Sequence, residues 1–318
     1  MRDVVVIGGG LSGLAAAYEL EKRGVSYTLI EVKRRLGGSI ASTRLNGFML
    51  DSGAMLHTIQ DVSFFTAYLN ALDLKDALFT QESNVGFLEG TGALIDALAR
   101  KITAPVMYRM AVSTLGQTDS DTFLICMENG MVLDTRALIV AAPARYAERM
   151  FQTLTPEISY RLLGYRYDEI ARVSLGYPTA ELHQIPSEPP PDYPITFIEK
   201  TAQSGRVPAD TTLIQVGVRY DSGVGPSRDL VGEVAALFGW PLSPLAEKVA
   251  AWADADPLMW HDPTHPTTMM AIQHLLPQGV ALAGSDYVPT THPPTLDDRI
   301  QLGREAAEKV MAWLARGN

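Results

Sequence analysis

The stretch VVVIGGGLSGLAAAYEL, residues 4–20, decides the fold. Its first four residues, Val4–Ile7, are all β-branched and read as the heart of a strand over 3–9, buried on both faces. Three glycines break the run. Beyond them Leu11, Leu14, Ala15 and Tyr18 recur at three- and four-residue spacing, the apolar face of a helix over 11–23. Gly24 stands where a left-handed C-terminal cap belongs, and SYTLIE (26–31) reads as a second strand. Strand, helix and strand in this order demand a parallel sheet with a right-handed crossover.

The glycines say what the turn is for. Gly8, Gly10 and Gly13 satisfy G-x-G-x-x-G between strand and helix. The first permits the tight turn, the second lets a pyrophosphate approach bare backbone, and the third lets the helix pack close. The helix N-terminus offers free N–H groups and a partial positive charge to the same pyrophosphate. Glu31, 18 residues after Gly13 at the end of the second strand, is placed to accept ribose hydroxyls. The pattern predicts a dinucleotide and leaves NAD and FAD both open.

Composition narrows the class. A chain of 318 residues, 47% hydrophobic and 19% charged, reads as an ordinary globular protein of one large or two modest domains. A formal charge of -10 with no basic stripe argues against a nucleic-acid partner. No apolar stretch approaches the roughly 20 residues of a membrane span, and the opening run is too short and too soon broken for a signal peptide. A cytoplasmic location is the expectation. The lone Cys126 excludes an internal disulfide or a cysteine-rich metal site. His261 and His265 are four apart, but Pro263 and Pro266 forbid a helix that would put both on one face, so no metal is expected.

Further along, 61–78 reads as helix, and GTGALIDALARKI (90–102) as another, led by glycine. Residues 106–115 read as a strand, 122–127 and 131–134 as a hairpin turning at ENG, and ALIVAAP (137–143) as a buried strand. Then the character changes. ARVSLGYP (171–178), PITFIEK (194–200) and TTLIQVGVRY (211–220) alternate like half-buried antiparallel strands, separated by the breaker-rich loops 184–194 and 201–210. GVALAGSDY (279–287) returns to a buried strand. A last helix over 296–316 aligns Ile300, Gly303, Ala307, Val310 and Leu314 on one face.

Two later stretches choose the cofactor. EVKRRLGGSIAS (31–42) and NGFMLDSGA (46–54) place Glu31, Arg35, Gly37, Gly38, Phe48, Asp51 and Gly53 in the order E-x-x-x-R-x-G-G then F-x-x-D-x-G. This resembles the flavin amine oxidase superfamily, which includes monoamine and polyamine oxidases, protoporphyrinogen oxidases and renalases. VALAGSDY and IQLGREAA resemble that family's closing motif and final helix, and the chain's short insert is similar to the compact renalase-like members. The resemblance implies an α/β fold: a split Rossmann-type FAD-binding domain (1–56, 88–155 and 270–318) with an inserted, mainly antiparallel-sheet substrate domain (57–87 and 156–269). It implies FAD held by Gly8, Gly10, Gly13, Glu31, Arg35, Gly37, Gly38, Val112, Gly284, Asp286 and Leu296. Val112 would offer its backbone to the adenine, Gly284 and Asp286 would lie against the ribityl and phosphate portion, and Leu296 would aim a helix N-terminus at the flavin pyrimidine. Cys126 is far from the family's covalent attachment point, so the flavin should be non-covalent.

Where the chain departs from the family, the chemistry is at stake. Ser39 replaces the basic residue that follows the glycine pair, and Thr295 stands where an aromatic residue guides the amine. Ala171, with Arg172 beside it, occupies the place of the lysine that meets the flavin N5. Candidate substrate-facing residues are His57, Arg172, Trp260 and Tyr287, with Trp252 as a further aromatic. The expected function is hydride transfer from a small reduced nitrogen compound to FAD with O2 as acceptor. A protoporphyrinogen oxidase, an FAD-dependent isomerase or desaturase and a non-catalytic flavoprotein remain open alternatives, and the oligomeric state is undetermined.

Overall fold

A computed structural model describes residues 2–119, 122–220 and 229–316; the side chains of 254–256 and 260 lie outside the description. The chain opens with β1 (Arg2–Ile7), α1 (Leu11–Lys22) and β2 (Tyr27–Glu31), then a hairpin of β3 (Ser42–Leu45) and β4 (Phe48–Asp51). α2 (Val62–Ala71) leads into a second hairpin, β5 (Leu78–Gln81) and β6 (Asn84–Phe87). After α3 (Gly92–Lys101) come β7 (Val106–Tyr108), β8 (Val112–Gln117), β9 (Phe123–Met127), β10 (Val132–Val140), α4 (Ala144–Leu154) and α5 (Pro156–Leu162). The inserted part carries β11 (Tyr167–Pro178), β12 (Ile195–Thr201), β13 (Thr211–Arg219), α6 (Leu230–Phe238) and β14 (Ala246–Pro257). α7 (His265–Leu275), β15 (Val280–Leu282) and α8 (Leu296–Leu314) complete the chain.

Among the described residues the strands make two main sheets. The first runs β7-β2-β1-β10-β9-β8, with β15 also on β10; its centre is parallel and β8–β9–β10 antiparallel. The β-branched run of β1 is divided by the pleat. Val4 and Val6 pack into the cluster of α1, α2, α3 and α8, while Val5 and Ile7 pack into that of α4, α5 and α7. A strand with an apolar layer on each face needs no polar alternation, which is why the sequence shows none. α2 shares its cluster with α1, α3 and α8 through Phe65, Tyr68 and Leu69.

The second sheet is antiparallel, ordered β12-β13-β11-β14. On one face Ala171, Val173, Leu175 and Tyr177 of β11 pack with Leu230, Val234 and Ala235 of α6. The pleat therefore turns Arg172, Ser174 and Gly176 to the other face. That face meets the first domain at β4: the Phe48 ring lies against Gly176, and Leu213 and Ala246 join Phe48, Leu50 and Met55 in one apolar cluster.

Several element readings change. The helix expected over 61–78 ends at Ala71: the Asp61 carboxylate caps its start by accepting from the Phe64 N–H, and Asp73 adopts a left-handed φ of 60°. Residues 78–81 then pair with 84–87 as a hairpin. The strand expected over 106–115 is broken at Arg109, whose φ of 57° separates β7 from β8. The pieces 131–134 and 137–143 are one continuous strand, β10.

Candidate functional site between the glycine loops and the antiparallel sheet

At the carboxyl edge of the parallel sheet the first glycine loop leaves β1 and turns into α1. Gly8 takes φ 105°, and a side chain at Gly13 would strike the Gly8 carbonyl oxygen, so helix and strand meet backbone to backbone. α1 has Gly10 as N-cap with no side-chain cap and no acidic residue in its first turn, which leaves its N-terminal N–H groups for an anion.

The second glycine loop is held against the first. Gly37 donates its N–H to the Gly9 carbonyl at 2.7 Å, and a Cβ on Gly38 would come within 3.3 Å of the Gly10 Cα. Arg35 braces this loop by donating to the carbonyls of Leu36, Gly38 and Ile40. The Glu31 carboxylate accepts from the N–H groups of Gly9 and Lys33, each at 2.7 Å, so the acid is fixed beside the loop. Met110 donates to the Glu31 carbonyl, bringing the approach to Val112 alongside. Gly284 follows β15, whose neighbour β10 passes to β1, so it reaches the same edge. Two glycine backbones in contact, an open helix end and a buried acid fit the diphosphate and ribose of FAD.

Other expected residues are engaged differently. The Asp286 Oδ2 accepts the Ala144 N–H at 2.8 Å and the Tyr167 hydroxyl at 2.5 Å, and Tyr165 donates to the Asp286 carbonyl. It caps α4, which Pro143 leaves without a side-chain cap, and ties it to β11. Tyr287 is buried, its hydroxyl donating to the Ala142 carbonyl at 2.5 Å. Leu296 opens α8, where Thr295 and Asp298 form a capping box. Asp297 accepts from the N–H groups of Gln60 and Asp61. Burial alone would raise the Asp297 pKa, but these N–H groups and the Thr295 hydroxyl hold it below the usual carboxylate range. The side chain of Trp260 lies outside the described residues. Trp252, on β14, has the Lys33 ammonium 4.1 Å and the Arg35 guanidinium 5.7 Å from its ring.

His57 is bound into the fold. Its Nε2 is 2.9 Å from the Thr91 hydroxyl, and its backbone bridges Val85. Burial first, then the charges of Arg299, Arg206 and Arg172, push its pKa down to about 3, so the ring is neutral at physiological pH. Ala171 and Arg172 face opposite sides of β11. Ala171 is fully buried in the apolar cluster against α6, so Arg172 is the member of that pair on the face toward the first domain, with its guanidinium 5.7 Å from the Phe197 ring.

Residues without a role in the glycine motifs surround Asp51. Its carboxylate accepts from the Ser42 hydroxyl, the Thr91 N–H and Arg206, the last at 2.6 Å with both partners buried. Arg206 also donates to the carbonyls of Met49 and Phe87. Gln215 donates to the Asp51 carbonyl and to Ser174, and Lys248 donates to Leu50 and Thr43. Burial lowers the Lys248 pKa. Glu199, facing the same loop, has its pKa raised by burial and by Asp51, against the Leu56 and Met55 N–H groups and Arg172. A signal was available for three of them: Ser174, Glu199 and Gln215 interrupt apolar strand patterns at positions of one parity per strand.

Comparisons with known proteins agree with this architecture. Residues 6–70 match the profile of an NAD(P)-binding Rossmann-like domain, and residues 70–216 match that of flavin containing amine oxidoreductase. Protoporphyrinogen oxidase 2 of Arabidopsis thaliana is 49% identical over 53 residues, which are 17% of this chain and 10% of that protein. The stretch shared with that relative is thus a tenth of its length. A crystal structure of a putative protoporphyrinogen oxidase from Exiguobacterium sp. 255-15 superposes with a TM-score of 0.78 at 15% identity, covering 99% of both chains. Cyclohexylamine oxidase of Brevibacterium oxydans IH-35A gives 0.72 at 13% identity, over 99% of this chain and 100% of that one. At these identities the superpositions speak for the fold alone. Residues 6–70 thus resemble a Rossmann-like dinucleotide-binding domain and residues 70–216 the flavin-containing amine oxidoreductases, and the paired glycine loops fit FAD as the cofactor.

Proposed function

We propose that this protein is an FAD-dependent oxidase of small reduced nitrogen compounds, amine or dihydronicotinamide-like, with O2 as the electron acceptor. FAD, when bound, supplies the hydride acceptor, its N5. The observation that carries the reading is the junction at Asp51–His57: the loop after the second glycine motif is hydrogen-bonded by Gln215 and faces the polar side of the antiparallel sheet. A donor molecule held between that loop and the sheet meets Arg172 and Phe197, together with the carboxyl of Glu199.

The chain's own groups orient and insulate. Phe197 and Gly217 offer a flat apolar surface, since the Phe197 ring lies over Gly217, where any side chain would displace it. Arg172 keeps positive charge beside that surface, which favours accumulation of electron density next to it. His57, neutral and bonded to Thr91, holds the loop in place, and its lowered pKa leaves it a weak base. No acid–base pair is required, because the cofactor carries the redox chemistry and the protein positions the donor carbon.

Anaerobic mixing of the flavin-loaded protein with amines, dihydronicotinamides and porphyrinogens tests this. Bleaching of the flavin band by one of the first two classes, with peroxide formed when air is admitted, is the expected result. Bleaching by porphyrinogens alone would move the assignment to a protoporphyrinogen oxidase. No bleaching by any of the three would overturn it.

A further inference from the structure

The polar side of the antiparallel sheet holds an arrangement that the cofactor reading leaves unused. Glu199 on β12 and Gln215 on β13 are directly paired in register, so their side chains stand next to one another on one face, with Cβ atoms about 5 Å apart. Both are anchored from one side only. Gln215, 1% exposed, spends its amide N–H groups on the Asp51 carbonyl and Ser174, while its Oε1 is buried without a hydrogen-bond partner. The Glu199 Oε2 is likewise buried and unpartnered. Two adjacent acceptors with no donor cost roughly 1–3 kcal/mol each when left unmet, and they lie in the row next to Arg172, Gly217 and Phe197.

We propose that Glu199 and Gln215 determine substrate specificity: the pair accepts the N–H bonds of a nitrogen carrying at least two of them, away from the carbon that is oxidised. This rests on the oxidase reading above, since it places the donor molecule over the same row. A primary carboxamide and a distal ammonium both offer such a nitrogen. The carboxamide fits better, because Arg172, Arg206 and Lys248 against Asp51 and Glu199 already make the surroundings cationic. The Gln215 oxygen is fixed in orientation by the two bonds of its amide nitrogen, so it can only accept. A hydroxyl, with a single O–H, would satisfy one acceptor and leave the other unmet.

The test uses the flavin-loaded full chain and two matched pairs of probes, followed by perturbation of the oxidised flavin band. One pair is 1-benzyl-1,4-dihydronicotinamide and its N,N-dimethylcarboxamide analogue; the other is 1,5-diaminopentane and pentylamine. Measured before any reduction, the first member of at least one pair should bind about tenfold or more tighter than its partner, the worth of one to two hydrogen bonds. Glu199→Leu should abolish that preference, bringing the first member's affinity down toward that of its partner. Glu199→Gln separates the sources: it keeps an acceptor, so it preserves a carboxamide preference and removes an ammonium preference. Should Glu199→Leu lose flavin, Gln215→Met provides the second variant, with flavin content and melting temperature checked for each. Equal binding within both pairs, or equal weakening of both members by the variants, overturns the proposal. Discrimination without reduction by any donor would instead count against the oxidase reading and leave this assignment standing.

Discussion

At the scale of single residues, His57 shows how environment sets a side chain's role. Burial and three arginines hold its pKa near 3, whereas in the unfolded chain it is about 6.5. Above pH 6.5 both states are neutral and the group contributes no pH dependence. As the pH falls below that value the unfolded state takes up a proton that the folded state refuses, so stability drops by up to about 1.4 kcal/mol per pH unit until the folded pKa is reached. His265, buried and also shifted downward, first by burial, acts with the same sign. Urea unfolding at pH 5 and pH 7 should therefore show a lower midpoint at pH 5. His57→Gln should flatten that difference by about one proton; an unchanged slope would show that His57 is protonated in the native state.

Among elements, α4 depends on a residue far from it in sequence. Its N-cap is Pro143, which has no cap of its own to give, and the cap comes from Asp286 through the Ala144 N–H. A carboxylate at a helix N-terminus also meets the favourable end of the helix dipole. Asp286→Asn keeps the shape, removes the charge and weakens the bond from Tyr167. The expected loss is about 1–2 kcal/mol, read from urea unfolding, with flavin content unchanged. Loss of flavin at unchanged stability would return Asp286 to the cofactor.

For the whole molecule, the junction of the two sheets turns on Asp51 and Arg206. Arg206 comes from the breaker-rich loop 201–210, yet its side chain is fully buried and holds β4, β6 and Asp51 together. Removing one member of such a pair leaves an uncompensated buried charge, so Arg206→Met should cost about 3–5 kcal/mol. Replacing both, Arg206→Met with Asp51→Asn, should recover part of that loss. A double variant no more stable than the single one would mean that Asp51 is satisfied by Ser42 and Thr91 alone.

The sequence by itself determined the parallel sheet, both glycine loops and Glu31, because each is a local pattern: a strand-to-helix turn that only glycine permits, and an acid at a fixed distance from it. It also marked the antiparallel strands by their alternation. The tertiary structure alone decided which side of β11 meets the first domain, and so that Arg172 and not Ala171 faces the site. A one-residue shift reverses every side chain of a strand, and nothing within ARVSLGYP says which face α6 will cover. The same holds for Arg206, Gln215 and Asp286, whose partners lie more than a hundred residues away: the first two meet Asp51 only when the antiparallel sheet closes on the first domain, and Asp286 meets Ala144 only when β15 pairs with β10.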